Sequence, residues 1–527
     1  MKHFGRVRFI AILAALLVWI LSLNAQGRRG GGPPPASPPT PAEGAAAPAA
    51  GSQQFPAPPA VETKSETKHE IQINGKKVAY TATAGTLVLK KDEKPWASMF
   101  YVAYTRDDVP DPTKRPITFA FNGGPGSSSV WLHLGALGPK RVEMGPDGEQ
   151  PKPPYHLVTN EDTALEFTDL VFIDPVTTGF SRQAPGENPA QFHSFEGDLQ
   201  SVGEFIRLYL VRAERWESPK FLAGESYGTT RAAALSQSLM QEGIYLNGIT
   251  FISTVLNFET ISFAPGNDLP YALFLPTYTA TAWYHKKLAK DLQGDLEKAV
   301  GESRRFAGSE YTVALMKGDK LTQTERANVI RQLARLTGLS EEFIDEANLR
   351  VPMQRFAQEL LRKERRSIGR YDGRLEGADV DATSDHPDYD PSYASVQGVY
   401  TAMFNDYVRA DLKYDSDLTY EVLTGKVQPW NYGRFDNRYV NVGENLSQAM
   451  TQNPNLKVLF ANGYFDLATP FFATEYTVSH LGLDPSLTGH ASLTYCEAGH
   501  MLYTKKTCLD GLHRAMTDFY QKTLPAQ

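Results

Sequence analysis

Gly224-Glu225-Ser226-Tyr227-Gly228 decides how this chain reads. The apolar run Phe221-Leu222-Ala223 precedes it, and the helix-forming run Arg231-Ala232-Ala233-Ala234-Leu235 follows. That order predicts a strand, a sharp turn and a helix, with a serine at the apex. Glycines on either side let the backbone turn tightly and the helix pack close. The Ser226 hydroxyl is then pushed out above the strand end, over a helix N-terminus. A bare G-x-S-x-G arises by chance in long chains. The flanking strand and helix are what mark Ser226 as a nucleophile rather than part of a Gly-rich turn.

A serine hydroxyl is a poor nucleophile near neutral pH and needs a base, with a third group to orient that base. In the α/β-hydrolase architecture the partners follow in the order Ser, acid, His, each at the C-terminal end of a later strand. Leu456-Lys457-Val458-Leu459-Phe460-Ala461 reads as a buried strand running into the turn Asn462-Gly463-Tyr464-Phe465-Asp466. Ala491-Ser492-Leu493-Thr494-Tyr495 reads as another, followed by Cys496-Glu497-Ala498-Gly499-His500, and a helix-compatible segment from about Thr504 to Tyr520 follows. Ser226, Asp466 and His500 therefore fall in the required order. His480 lies in a helix-like stretch and His490 before a strand, so neither has His500's placement.

Acyl transfer also needs backbone donors aimed at the developing negative charge. The amide of Tyr227, next after the nucleophile, is one candidate. The strand Pro116–Phe121 leads directly into Asn122-Gly123-Gly124-Pro125-Gly126-Ser127-Ser128-Ser129, whose glycines let main chain approach a bound carbonyl. A phosphate-binding loop is excluded, because no Gly-Lys-Ser/Thr follows and G-x-G-x-x-G spacing is absent.

Together the Asn122–Ser129 loop, Leu137-Gly138-Pro139, the strand and loop Leu170–Ser181, the Ser226 pentapeptide, the turn to Asp466 and Gly499-His500-Met501 resemble the serine carboxypeptidases, the family of carboxypeptidase Y. The resemblance spans roughly Thr118 to Tyr503 with a divergent middle. Within that middle, Ile368–Arg374 and Tyr400–Asn405 look like the cap region of bacterial members. It implies Ser226 as nucleophile, His500 as base, Asp466 as its orienter, and Gly124 and Tyr227 as the oxyanion hole. It also implies that Asn122, Gly123 and Glu225 bind the substrate's C-terminal carboxylate. A charged Glu225 would repel that group, so burial must keep it protonated, which predicts peptide hydrolysis favoured at acidic pH. Two positions depart from the family. Ala136 stands where a second Glu is common before Leu-Gly-Pro, and Ser127 stands where a Cys is frequent.

The chain has 527 residues, 41% of them hydrophobic, with a net charge of −7 and scattered basic residues. That length and apolar content suffice for the α/β fold that the motif order and the resemblance imply, a central, mostly parallel sheet with an inserted, mainly helical cap, and the scattered charge argues against a nucleic-acid partner. Lys2, Arg6 and Arg8 followed by the apolar stretch Phe9–Leu23 read as an export signal, cleaved after Ala25. The stretch is short of the roughly 20 residues a membrane span needs. Uncleaved, it would act as an anchor; cleaved, it leaves no stable membrane partner. Residues 26–62 are rich in Pro, Gly and Ala and read as a disordered linker. Residues 63–527 form the catalytic domain, with the cap at about 269–440.

Glu70 to Tyr104 alternates around Asn74-Gly75, predicting antiparallel strands ahead of the main sheet. Only Cys496 and Cys508 are present, and they would bridge in an oxidising compartment. Two cysteines and one nearby histidine make no zinc site. Asp379, Asp381, Asp385, Asp388 and Asp390 fail the calcium-loop pattern, with Ser384 where Gly is needed. Neither a metal nor a cofactor is therefore expected. The reading is an exported (periplasmic or extracellular) serine hydrolase releasing C-terminal residues from peptides through an acyl-enzyme. An esterase or acyltransferase with the same triad is the alternative, and a non-catalytic peptide binder a third. Oligomeric state and side-chain preference are not legible.

Overall fold

The computed structural model describes residues 57–524. The expected export signal (1–25) and most of the expected linker (26–62) lie outside the described residues.

One large sheet organises the chain. Its strands are β1 (Thr63–Ile73), β2 (Lys76–Lys91), β3 (Lys94–Arg106), β4 (Ile117–Phe121), β5 (Asp169–Ile173), β6 (Lys220–Ser226), β7 (Gly248–Thr254), β8 (Lys457–Gly463) and β9 (Ala491–Cys496). They lie in the order β1-β2-β3-β5-β4-β6-β7-β8-β9, and the short strand Arg182–Gln183 pairs with β3. From β5 to β9 neighbouring strands are parallel, whereas β1, β2, β3 and β5 pair antiparallel. The antiparallel part is longer than the alternation from Glu70 suggested. It begins at Thr63, turns at Asn74-Gly75 with both residues at positive φ, and turns again at Asp92-Glu93. Positive φ at both central residues is the geometry a two-residue hairpin turn requires.

Parallel strands covered on both faces read as continuous apolar runs. In β5, Leu170 and Phe172 join one buried cluster, and Val171 and Ile173 the other. The first layer is completed by α4 (Pro391–Ala410) and α5 (Lys506–Thr523), the second by α1 (Phe195–Arg212) and α2 (Tyr227–Gln241). Each fully buried Phe or Leu on these faces contributes about 1.5–3 kcal/mol relative to exposure.

Between β7 and β8 the chain is mostly helical. A helix α3 (Leu269–Tyr284) packs with Leu296–Phe306, Gln323–Thr337 and Met353–Glu359 around their own core, which includes Phe274, Tyr278, Leu333 and Phe356. Thr322 and Glu325 form a capping box, and Ser340 caps Glu341–Glu346. The helical character does not run evenly to residue 440. Pro391–Ala410 buries Val396, Tyr400 and Phe404 against the sheet, and beyond it only short 3-10 turns occur before Gly443. Among the described residues no helix is long and apolar enough to cross a membrane.

Candidate active site

Strand pairing brings the ends of β6, β7, β8 and β9 to one edge. Glu225 lies opposite Ile252, Ile252 opposite Ala461, and Ala461 opposite Thr494. Chain leaving that edge carries Ser226, Asp466 and His500.

Ser226 ends β6 with φ +58° and ψ −130°, and α2 starts at the next residue. A β-carbon-bearing residue rarely adopts this conformation, and the surrounding packing must hold it. Gly224 supplies part of that packing: a Cβ there would lie 2.3 Å from the Gly228 carbonyl oxygen. Gly123 supplies another part, since its Cβ would meet the Tyr227 amide nitrogen at 2.4 Å. The Asn122–Ser129 loop is therefore pressed directly against the serine turn. The amides of Gly124 and Tyr227 lie on these adjoining segments, and neither donates to another loop or turn carbonyl among the described residues.

That loop is held from both ends. The Asn122 carbonyl accepts from the Arg231 guanidinium at 2.7 Å, and Arg231 is ion-paired at 2.8 Å with Asp198. Both charges are fully buried, and the guanidinium also lies against the rings of Phe121 and Tyr227. At the far end, Asp174 Oδ1 accepts from the Ser129 amide and hydroxyl. Burial pushes the Asp174 carboxyl up to about 6, against the pull of those two bonds.

Asp466 is wholly buried, and every hydrogen bond it accepts is local or to His500. Its Oδ1 accepts from the amides of Ala468 (2.8 Å) and Thr469 (2.9 Å). Its Oδ2 accepts from the Thr469 hydroxyl at 2.6 Å and pairs with His500 Nδ1 at 2.8 Å. Pairing through Nδ1 leaves Nε2 as the ring nitrogen outside that pair. Ser226 Oγ itself makes no hydrogen bond among the described residues, an arrangement common before substrate tightens the site. His500 is anchored by its backbone: its carbonyl accepts from Ser253 Oγ at 2.5 Å, and Ser253 precedes Thr254, the residue opposite Ser226. Burial lowers the imidazole's proton affinity, but the Asp466 charge and hydrogen bond outweigh it, so the net shift is upward.

Asn122 Oδ1 accepts from the Leu132 amide, which turns its Nδ2 onto Glu225 Oε1 at 2.9 Å. Glu225 is buried, and its carboxyl is pushed up to about 7 by that burial, against the influence of His500. Its Oε2 has no hydrogen-bond partner within 3.5 Å, nor does the Tyr400 hydroxyl, while the Tyr503 hydroxyl lies near enough to the Glu225 carboxyl to oppose its upward shift. Both tyrosines crowd Gly135, beside the buried Ala136. The hydroxyls of Tyr400 and Tyr503 thus lie within electrostatic reach of Glu225, with Ala136 in place of a second acid. Ser127 Oγ accepts from the Trp131 indole at 2.9 Å. Cys496 and Cys508 form a disulfide, which ties the segment before His500 to the first turn of α5.

Two contributors carry weaker signals in the sequence. Thr469 lies three residues after Asp466, the spacing at which an Asp side chain bonds its own turn. Arg370–Arg374 is less legible, and it joins both loops. The Arg370 carbonyl accepts from Leu467 N–H (3.0 Å), and Gly373 N–H donates to the Phe465 carbonyl (2.9 Å). On the other side, His500 N–H donates to the Tyr371 carbonyl (2.5 Å) and Gly499 N–H to Asp372 Oδ2 (3.2 Å). Arg374, paired with Asp372 at 2.6 Å, reaches the Glu497 carbonyl at 3.3 Å.

A strained serine turn and a paired aspartate and histidine at the ends of parallel strands define an α/β-hydrolase fold. The crystal structure of the prohormone-processing carboxypeptidase KEX1(ΔP) from Saccharomyces cerevisiae shares it, with a TM-score of 0.52 and 17% identity over 84% of this chain and 91% of that one. The serine carboxypeptidase profile matches residues 75–506, and the chain belongs to that family. It is 34% identical over 135 residues to the pheromone-processing carboxypeptidase KEX1 of S. cerevisiae, covering 24% of this chain and 17% of that protein. It is 29% identical over 183 residues to serine carboxypeptidase-like 45 of Arabidopsis thaliana, covering 32% of this chain and 36% of that protein. The chain thus spans well under half the length of these curated relatives.

Proposed function

We propose that this protein is a serine-type carboxypeptidase that releases C-terminal residues from peptides. The observation that carries it is the hydrogen-bonded Asp466–His500 pair at the sheet edge where the strained Ser226 turn adjoins the Asn122–Ser129 loop. In this reading Ser226 Oγ attacks the scissile carbonyl carbon as its proton passes to His500 Nε2. The tetrahedral oxyanion receives hydrogen bonds from the amides of Gly124 and Tyr227. Collapse breaks the C–N bond, and the imidazolium protonates the leaving amine. Water then attacks the acyl-enzyme, giving its proton to His500, and the ester bond to Ser226 breaks as that proton returns to the serine oxygen. Asp466 keeps the imidazole in the tautomer this sequence requires.

Asn122, Gly123 and neutral Glu225 are the proposed receivers of the substrate carboxylate. The helices around 269–440 are the proposed cap, residues 1–25 the export signal and 26–62 the linker, with the catalytic domain from 63. A disulfide beside the histidine favours an oxidising, exported destination. The test is mass spectrometry of a peptide ladder beside an ester assay, with Ser226→Ala as control. Stepwise C-terminal loss that the variant abolishes is the expected result. Ester turnover without peptide shortening would transfer the assignment to an esterase or acyltransferase.

A further inference from the structure

The stretch Arg370–Arg374 contains two arginines with opposite surroundings. Arg374 is buried and engages both oxygens of Asp372. Arg370 is only half-buried, and among the described residues its guanidinium has neither a carboxylate at ion-pair distance nor a hydrogen-bond acceptor. Its backbone is nonetheless fixed: the N–H donates to Asp390 Oδ1 at 3.2 Å, and the carbonyl accepts from Leu467, the residue after Asp466. The guanidinium lies 5.3 Å from the centre of the Tyr371 ring, which lies 5.0 Å from the His500 imidazole. Its charge reaches that imidazole and opposes the upward shift caused by Asp466.

A cation held beside the general base works against formation of the imidazolium, and partial burial costs it hydration. The buried Arg231 and Arg374 do not stand that way, each being paired with a carboxylate, Asp198 and Asp372 respectively. A ligand anion entering the site would offset both costs. Guanidinium is also suited to a carboxylate, which it binds through two parallel N–H donors.

We infer that Arg370 is a substrate-binding residue that pairs with a carboxylate of the peptide as it lies across Ser226 and His500. This rests on the hydrolytic reading above. It adds a permanent positive charge to a site whose other proposed carboxylate contacts are Asn122, Gly123 and the titratable Glu225. Two parts of a peptide offer the chemistry: the C-terminal carboxylate and an Asp or Glu side chain next to the scissile bond.

The experiment compares wild type, Arg370→Gln and Arg370→Lys on four substrates. These are a neutral peptide with a free C-terminus, its C-terminal amide, the same amide carrying Glu beside the scissile bond, and a small neutral ester. Arg370→Gln should lose roughly tenfold in kcat/KM, mostly through KM, on substrates that present the bound carboxylate. It should change by no more than about twofold on the ester, which makes no such contact, and Arg370→Lys should recover part of the loss. Loss on the free acid alone assigns the C-terminal carboxylate, and loss on the Glu peptide alone assigns the side chain. Equal effects on all four substrates overturn the inference, and because each ratio is internal to one variant, poor folding cannot imitate the expected result. A wild type that turns over none of them overturns the hydrolytic reading itself, and this inference with it.

Discussion

Replacing Glu225 by Gln isolates the protonation state on which the proposed carboxylate recognition depends. Glutamine keeps the size of the side chain and is a neutral donor at every pH. The wild-type carboxyl is pushed up to about 7, first by burial, with Asp466 adding to the shift and His500, Tyr503 and Asn122 opposing it. Two units above that value about 1% of the groups remain neutral. If only the neutral form accepts the substrate carboxylate, kcat/KM on a free-acid peptide should fall about a hundredfold by pH 9, relative to an uncharged ester. That ratio corresponds to about 3 kcal/mol.

His500 supplies the acid limb, since it must be neutral to act as base. Ionised Glu225 is one of the groups that raise its proton affinity. Glu225→Gln should therefore lose the alkaline limb on peptides and move the acid limb to lower pH. Stability provides a second readout with a definite sign. A carboxyl raised in the folded state binds more protons than in the unfolded chain between about 4.5 and 7, so stability falls as pH rises through that window. Glu225→Gln should thus raise Tm at pH 8 and leave it nearly unchanged at pH 4. The measurements are kcat/KM from pH 4 to 9 on a matched peptide and ester, with thermal melts at both ends. Peptide and ester profiles that share one alkaline limb in the wild type, or a variant that keeps that limb, would refute the reasoning.

Asp466→Asn preserves shape but permits the wrong imidazole tautomer, and kcat should drop on the order of 10⁴-fold, with fluorophosphonate labelling of Ser226 slowed in step. Thr469→Val removes the 2.6 Å hydroxyl bond to Asp466 and should lower kcat about tenfold with KM little changed, measured on an ester to avoid the carboxylate subsite. Asp198→Asn leaves the Arg231 charge buried without its partner and should cost about 3–5 kcal/mol in chemical denaturation. Reduction of Cys496–Cys508 should lower stability by up to about 3 kcal/mol, followed as Tm with and without a reductant that leaves a Cys508→Ala control unaffected.

The local chemistry of this protein was written into short contiguous stretches. The turn at Ser226, the Gly-rich run after β4 and the strand before Asp466 declare themselves because a tight turn, a close approach and a buried strand each demand particular residues at adjacent positions. The capping box at Thr322 and the hairpin at Asn74-Gly75 are local for the same reason. Long-range contacts leave no such mark. Nothing near Asn122 announces that Arg231 grips its carbonyl, and nothing near Glu225 announces the hydroxyls of Tyr400 and Tyr503 close by. Arg370–Arg374 could be singled out by its resemblance to the cap region of bacterial family members, but its stitching of the Asp466 and His500 loops required the fold. Hydrogen bonds between segments far apart in sequence depend on register and loop path, which side-chain pattern alone does not encode. Sequence therefore determined which groups can react; tertiary structure decided which neighbours set their charge and hold them in place.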